Sequence, residues 1–126
     1  MAFLDDMRDV LVNDAYIIAN FSPRIYFQLL PVNIDKQYTW MRWGFNKTSQ
    51  IDCIGGSVAQ SSYDLFIDVI SKSINELPIM GDQIIEGIQG KTYGGIVNIK
   101  FTNNTYSNYQ EKDIYVNTLN FTVTYN

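Results

Sequence analysis

From Tyr115 to Tyr125 the chain alternates, with Leu119, Phe121, Val123 and Tyr125 on one side and Thr118, Asn120, Thr122 and Thr124 on the other. A repeat of two residues marks a strand with one face buried and one wet, so this segment requires a sheet with a single covered face. Ile96-Val97-Asn98-Ile99-Lys100-Phe101 reads as the strand before it, with Val97, Ile99 and Phe101 on one face. The polar stretch 102–113 between them contains Asn103-Asn104 and Ser107-Asn108, which makes the pair a hairpin with a broad tip.

Helices are expected to cover the sheet. Phe3, Leu4, Met7, Val10, Leu11, Ala15 and Ile18 recur at helical spacing, Asp5, Asp6 and Asp9 sit near the positive end of the helix dipole, and Asn20 stands as a terminator before Pro23. A second helix is expected from Ser61, which with Asp64 resembles a capping box carrying Asp in place of Glu. Leu65, Phe66, Val69, Ile70, Ile74 and Leu77 trace its apolar stripe, and Pro78 closes it. The segment Met80 to Gly95 holds Gly81, Gly87, Gly90, Gly94 and Gly95, a density that predicts a mobile loop with at most a short turn or strand around Ile84 and Ile85.

Between the first helix and the second, Pro23 and Pro31 bracket Arg24-Ile25-Tyr26-Phe27-Gln28-Leu29-Leu30, a short β-prone run leaving the helix by a tight corner. Tyr38 to Phe45 is a strand with two bulky apolar faces, Tyr38 and Trp40 on one, Met41, Trp43 and Phe45 on the other. A half-buried strand needs one such face, so the second meets a neighbouring subunit or a loop of the same chain. Asn46-Lys47-Thr48 is expected to be a hairpin turn, followed by a short strand from Gln50 to Ile54 that Gly55-Gly56 break.

Arg24-Ile25-Tyr26 and Leu30-Pro31, followed by the aromatic strand, Gln50-Ile51-Asp52-Cys53-Ile54, a helix near Ser61-Ser62-Tyr63-Asp64 and two long strands, form a succession that resembles the tail completion (tail terminator) proteins of long-tailed bacteriophages. The resemblance covers nearly the whole chain, and its motifs are short and mostly apolar. It implies a structural protein of the virion, made in the host bacterial cytoplasm. The protein would form a sixfold ring at the head-proximal end of the tail, stop tube growth and dock the tail to the head connector. Its partners would be further copies of itself, the tail tube protein and a head completion or connector protein, with DNA only passing through the channel. Sheet edges and loops would meet neighbouring copies head-to-tail. The chain departs from the family's usual look in its longer Gly-rich loop after Pro78 and its long final hairpin tip.

Pattern rather than any family motif picks the contact residues. Tyr38, Trp40, Arg42 and Trp43 are the candidates for subunit contacts. Asp82, Gln83, Glu86 and Lys91 in the Gly-rich segment, with Asn104, Tyr106 and Tyr109 near the hairpin tip, are the candidates for ring partners.

Composition and the missing chemistry narrow the alternatives. With 126 residues, 46% hydrophobic and 17% charged, the chain is long enough for one core, a single domain over 1–126. A net charge of −4 and no cluster of Lys and Arg argue against phosphate-driven nucleic-acid binding, including on a stacking platform of Tyr38, Trp40 and Trp43. Histidine is absent, which removes the usual general base and the commonest zinc ligand, and the lone Cys53 can build neither a disulfide nor a thiolate cage. Gly90-Lys91-Thr92 mimics the end of a phosphate loop, but Ile85 stands where the pattern needs its first glycine. Asp64 and Asp68, four apart on the expected helix, read as a solvated face.

The acidic N-terminal segment lacks the basic region of a signal peptide, no run approaches a membrane span, and the Asn-X-Ser/Thr sequons at Asn20, Asn46, Asn103 and Asn120 count as chance products of abundant Asn. The expectation is an α+β fold, a mostly antiparallel sheet of about five strands with two main helices packed on one face, binding no cofactor or metal and performing no catalysis. A head-side completion or adaptor protein is the nearest alternative. A small cytoplasmic enzyme and a monomeric regulatory binding module are the others.

Overall fold

Tyr63, Leu65, Ile67 and Val69 are spaced by two, and they set the architecture because they place the middle of the chain in a strand. The computed structural model describes residues 2–30, 38–52, 58–109 and 114–126. Its elements are α1 (Ala2–Val12), α2 (Ala15–Phe21), β1 (Ile25–Phe27), β2 (Trp40–Asp52), β3 (Val58–Ser71), α3 (Leu77–Ile88), β4 (Ile96–Tyr109) and β5 (Ile114–Tyr125). The five strands form one sheet in the order β1-β2-β3-β5-β4. Every neighbouring pair is antiparallel except the short β1, which runs parallel to β2. The fold is therefore α+β with a mostly antiparallel sheet, and the described residues carry three helices rather than two.

The helix expected from Ser61 is the strand β3. Leu65, Ile67 and Val69 face the helices, whereas Phe66 and Ile70 lie on the opposite face, opposite Gly44 and Trp40 of β2. A central strand with apolar groups on both faces counterfeits a helical stripe, because residues i, i+1, i+4 and i+5 are then all apolar. Asp64 and Asp68 consequently share a face of β3, and Asp68 is buried rather than solvated. Pro78 opens the next helix instead of closing the previous one: it occupies the first turn of α3, where its missing N–H costs nothing. Ile74, counted above into the stripe, lies 53% exposed in the turn before it.

Most of the expected Gly-rich loop is α3 itself, which buries Leu77, Met80, Gly81, Ile84 and Ile88. Gly81 is tolerated because the helix approaches β5 closely: a Cβ there would lie 2.6 Å from Asn117 Nδ2. After α3, Gly90 and Gly94 adopt φ values of 78° and 54°, the left-handed turns that bring the chain back to β4.

The single N-terminal helix is two. Asp14, 7% exposed, caps α2 by accepting a hydrogen bond from Ile17 N at 3.0 Å, and Ile18, 46% exposed, falls off the buried stripe. At the corner, Ser22-Pro23 is cis, and the β-prone run yields only the three residues of β1. Strand β2 continues through Asn46-Lys47-Thr48, where a hairpin turn was expected, with a register irregularity between Lys47 and Ser49. Cys53 and Gly55-Gly56 lie outside the described residues. On β4, a register shift between Ile96 and Asn98 buries Ile96 and Ile99 and leaves Val97 41% exposed. The hairpin strands extend to Tyr109 and from Ile114, with the tip, 110–113, outside the described residues.

The core lies between the three helices and one face of the sheet. Phe3, Met7 and Leu11 of α1, Ile17 and Phe21 of α2, and Ile84 and Ile88 of α3 pack on Met41, Trp43, Leu65, Ile67, Phe121 and Val123. Two carboxylates fasten α1 to the far strands. Asp6 Oδ2 accepts from Gly95 N at 3.0 Å and from Tyr125 Oη at 2.6 Å, and Asp9 Oδ2 accepts from Tyr93 Oη at 2.9 Å.

Candidate functional site

With one face of the sheet covered by helices, the surfaces left for a partner are the other face, the sheet edges and the exposed sides of the helices. The helix-free face divides into three zones. At one end Trp40, Ile70, Ile114 and Val116 form a second small core, with Tyr26 and Leu30 packed against it. Tyr26 stacks on Trp40 with ring centroids 5.5 Å apart. In the middle, Arg42 Nε donates to Asp68 Oδ2 at 2.9 Å while Thr118 Oγ1 donates to Asp68 Oδ1 at 2.6 Å. The guanidinium also lies 5.3 Å from the Phe66 ring centre. At the far end the face is polar: Asp64, Thr102, Asn103, Asn120 and Thr122 line an open depression of about 310 Å³.

The four residues expected at a subunit interface thus occupy different environments. Trp43 points to the helix side and is 2% exposed, edge-on to Phe27 at 4.8 Å. Trp40, 7% exposed, belongs to the second core, and Arg42 is engaged by Asp68 and by Gln28 O at 3.4 Å. Tyr38 is 50% exposed, with the Arg24 guanidinium 4.7 Å over its ring. Among the residues expected to meet ring partners, Asp82, Gln83 and Glu86 lie on the exposed side of α3 rather than on a loop. Lys91 follows that helix, its backbone N donating to Ile88 O at 3.1 Å. Asn104 and Tyr106 lie on β4, both exposed, and Tyr109 closes the strand opposite Ile114.

Between α3 and β4 runs a cleft of about 110 Å³ lined by Gly81, Asp82, Ile85, Phe101, Tyr106 and Leu119. Its floor is held by Asn117, 1% exposed, which donates to Leu77 O at 3.3 Å and accepts from Asn104 Nδ2 at 3.1 Å. Pattern reading missed Asn117, because it occupies a core-facing position of β5 where an apolar residue would extend the alternation. It also missed the roles of Asp6, whose acid character a helix dipole explains as well, and of Asp14, which falls inside the single helix expected there. The signal available for Asn117 is the lapse itself, a polar residue in phase with Leu119, Phe121 and Val123.

Besides Tyr16 of α2, whose hydroxyl is pushed up by burial and then by Glu76, the perturbed groups belong to the α1 fastening. The Gly95 amide and, less strongly, the Tyr125 hydroxyl hold the Asp6 carboxyl below its ordinary value, against the opposing effect of burial. Burial, followed by the hydrogen bond to Asp6, pushes the Tyr125 hydroxyl up to about 12. Among the described residues no group of three or more His, Cys, Asp or Glu could hold a metal ion, and no helix is long and apolar enough to cross a membrane.

Neither a family model nor a curated protein matches the chain. A solved structure does: a chain of the "Virion of native gene transfer agent (GTA) particle" superposes with a TM-score of 0.76 over 98% of this chain and 94% of its own length. The two share their fold. At 16% identity the likeness is one of architecture, covering the sheet and the helices together.

Proposed function

We propose that the chain is a structural protein of a phage-like virion, and within it a tail terminator: a ring that caps the tail tube and joins the tail to the head connector. One observation carries the reading, the fold shared end to end with a chain of a gene transfer agent virion, 98% of one and 94% of the other. The succession of segments that resembles tail terminators points the same way from the sequence side, apart from its helix near Ser61, which is strand β3. The mechanism is assembly rather than catalysis, and the partners are further copies of the chain, the tail tube protein and a head-side connector, with DNA passing through the channel. In this arrangement exposed groups make the contacts, Tyr38 on one side and Asp82, Gln83 and Glu86 on the other. Trp40, Arg42 and Trp43 stiffen the strand behind them.

Deleting the gene and viewing the lysate by electron microscopy tests this. The expected outcome is DNA-filled heads beside unattached, irregularly long tails. Leaking heads beside normal tails would move the protein to the head side of the joint, and normal infectious particles would overturn the reading.

A further inference from the structure

The outer edge of β4 is closed over its first half and bare over its second. Ile99 O accepts from Gly90 N at 2.8 Å, and Phe101 N donates to Gln89 Oε1 at 3.3 Å, so both residues turn their backbone groups away from β5 and are capped by the end of α3. The irregularity between Phe101 and Asn103 resets the alternation, after which Asn104, Tyr106 and Asn108 are the residues whose amides and carbonyls point outward. No strand among the described residues pairs with them. From Asn103 to Tyr109 the sequence holds no charge, proline or glycine, so the usual devices that keep a sheet edge from pairing with another chain are missing.

The opposite side of the sheet is open as well. Strand β1 covers β2 only from Met41 to Trp43. Beyond Trp43, β2 runs on to Asp52 with no strand on its outer side among the described residues, and Phe45 is the first residue there with outward backbone groups.

We propose that successive copies of the chain join through these two edges, the bare half of β4 in one copy lying antiparallel to β2 beyond Trp43 in the next. The inference rests on the ring reading above and names the surface that builds the ring. Directions agree, since β4 and β2 run oppositely within one sheet and a rotation that keeps the helices on the outside preserves that opposition. A two-fold pairing of β4 with β4 would leave the β2 edge open, whereas head-to-tail pairing closes both.

The register also fits. Tyr106 is level with Met41 through Asn117 and Val69, so setting Asn108 opposite Phe45, which keeps the bare half of β4 clear of β1, is a stagger of six residues. A sixfold ring of the four long strands contains about 24 strands, and closing it at tilts of about 35–45° takes a stagger of roughly four to six residues per copy. Tyr106, in phase with Asn108, projects to the helix side as Phe45 does, so the match keeps one face throughout.

The test compares wild type, Tyr106→Ala and Tyr106→Pro by sedimentation velocity and native mass spectrometry over a concentration series, with thermal unfolding to confirm the fold. Proline removes an outward N–H and none of the bonds to β5, while alanine removes the side chain and keeps the N–H. Wild type and Tyr106→Ala are expected to form the same closed ring, and Tyr106→Pro to need roughly tenfold more protein or more. Asn108→Pro repeats the test if Tyr106→Pro does not fold. Equal assembly of the proline variants, equal loss in Tyr106→Ala, or a dimer as the only oligomer would each overturn edge pairing. A wild type that stays monomeric at every concentration would overturn it too, while the virion reading stands or falls separately on the gene deletion.

Discussion

Asp68 and Arg42 are unequal partners, because the carboxylate is 5% exposed and the guanidinium 33%. Removing the cation strands a buried charge, whereas removing the anion leaves a cation that water can reach. Arg42→Met is therefore expected to cost about 3 kcal/mol and Asp68→Asn, which can still accept from Thr118, about 1 kcal/mol, as read by urea unfolding. A reversed order would show that the stacking of Arg42 on Phe66 is immaterial and that the pair is open to solvent.

The Asp6 fastening has a sign of its own. Because the Gly95 amide and then the Tyr125 hydroxyl lower the carboxyl's folded-state pKa below its ordinary 3.8, its contribution is complete above that value and fades as pH falls through the folded-state one. The stability gap between wild type and Asp6→Ala should be constant near neutrality and shrink below about pH 4. Tyr125 works at the other extreme: burial, then Asp6, raises it to about 12, so stability falls as pH climbs from about 10 toward 12 and the unfolded chain ionises first. Ultraviolet titration should show a late phenol that Asp6→Ala brings to lower pH.

Among the elements, α3 and β3 are where pattern and structure parted, and for related reasons. Strand β5 was legible because it is half buried, and its period of two has no rival. Strand β3 sits between β2 and β5 and is apolar on both faces, so its spacing satisfies a helix as readily as a strand. Helix α3 was hidden by its glycines, which read locally as breakers and serve in fact as clearance: Gly81 lets the helix settle on Asn117. Gly81→Ala should therefore destabilise by about 1–3 kcal/mol, although in an exposed helix the same change gains up to about 1 kcal/mol. A thermal shift upward would mean that Asn117 can give way. The proposed contact residues were legible only as exposed or bulky types. Whether Trp43 or Tyr38 reaches the surface depends on which face of β2 the helices cover, and that is decided by partners far along the chain.

At the scale of the whole molecule, the feature with the longest reach is the place of β5, inserted between β3 and β4. The strand that parts them is the later one in sequence, so β4 leaves the ribosome before its one strand partner among the described residues exists. Until Ile114 to Tyr125 have emerged, β3 lacks one flank, α1 lacks its Tyr125 anchor and the uncharged stretch of β4 is exposed on both edges. Contacts so distant in sequence form late and slowly. Nascent chains arrested ahead of Ile114 should be cut by protease as readily as an unfolded control, and resistance should appear in one step once β5 clears the exit tunnel. In the proposed ring, translation would act as a gate on growth, because a copy with an incomplete sheet has no settled register to offer a neighbour.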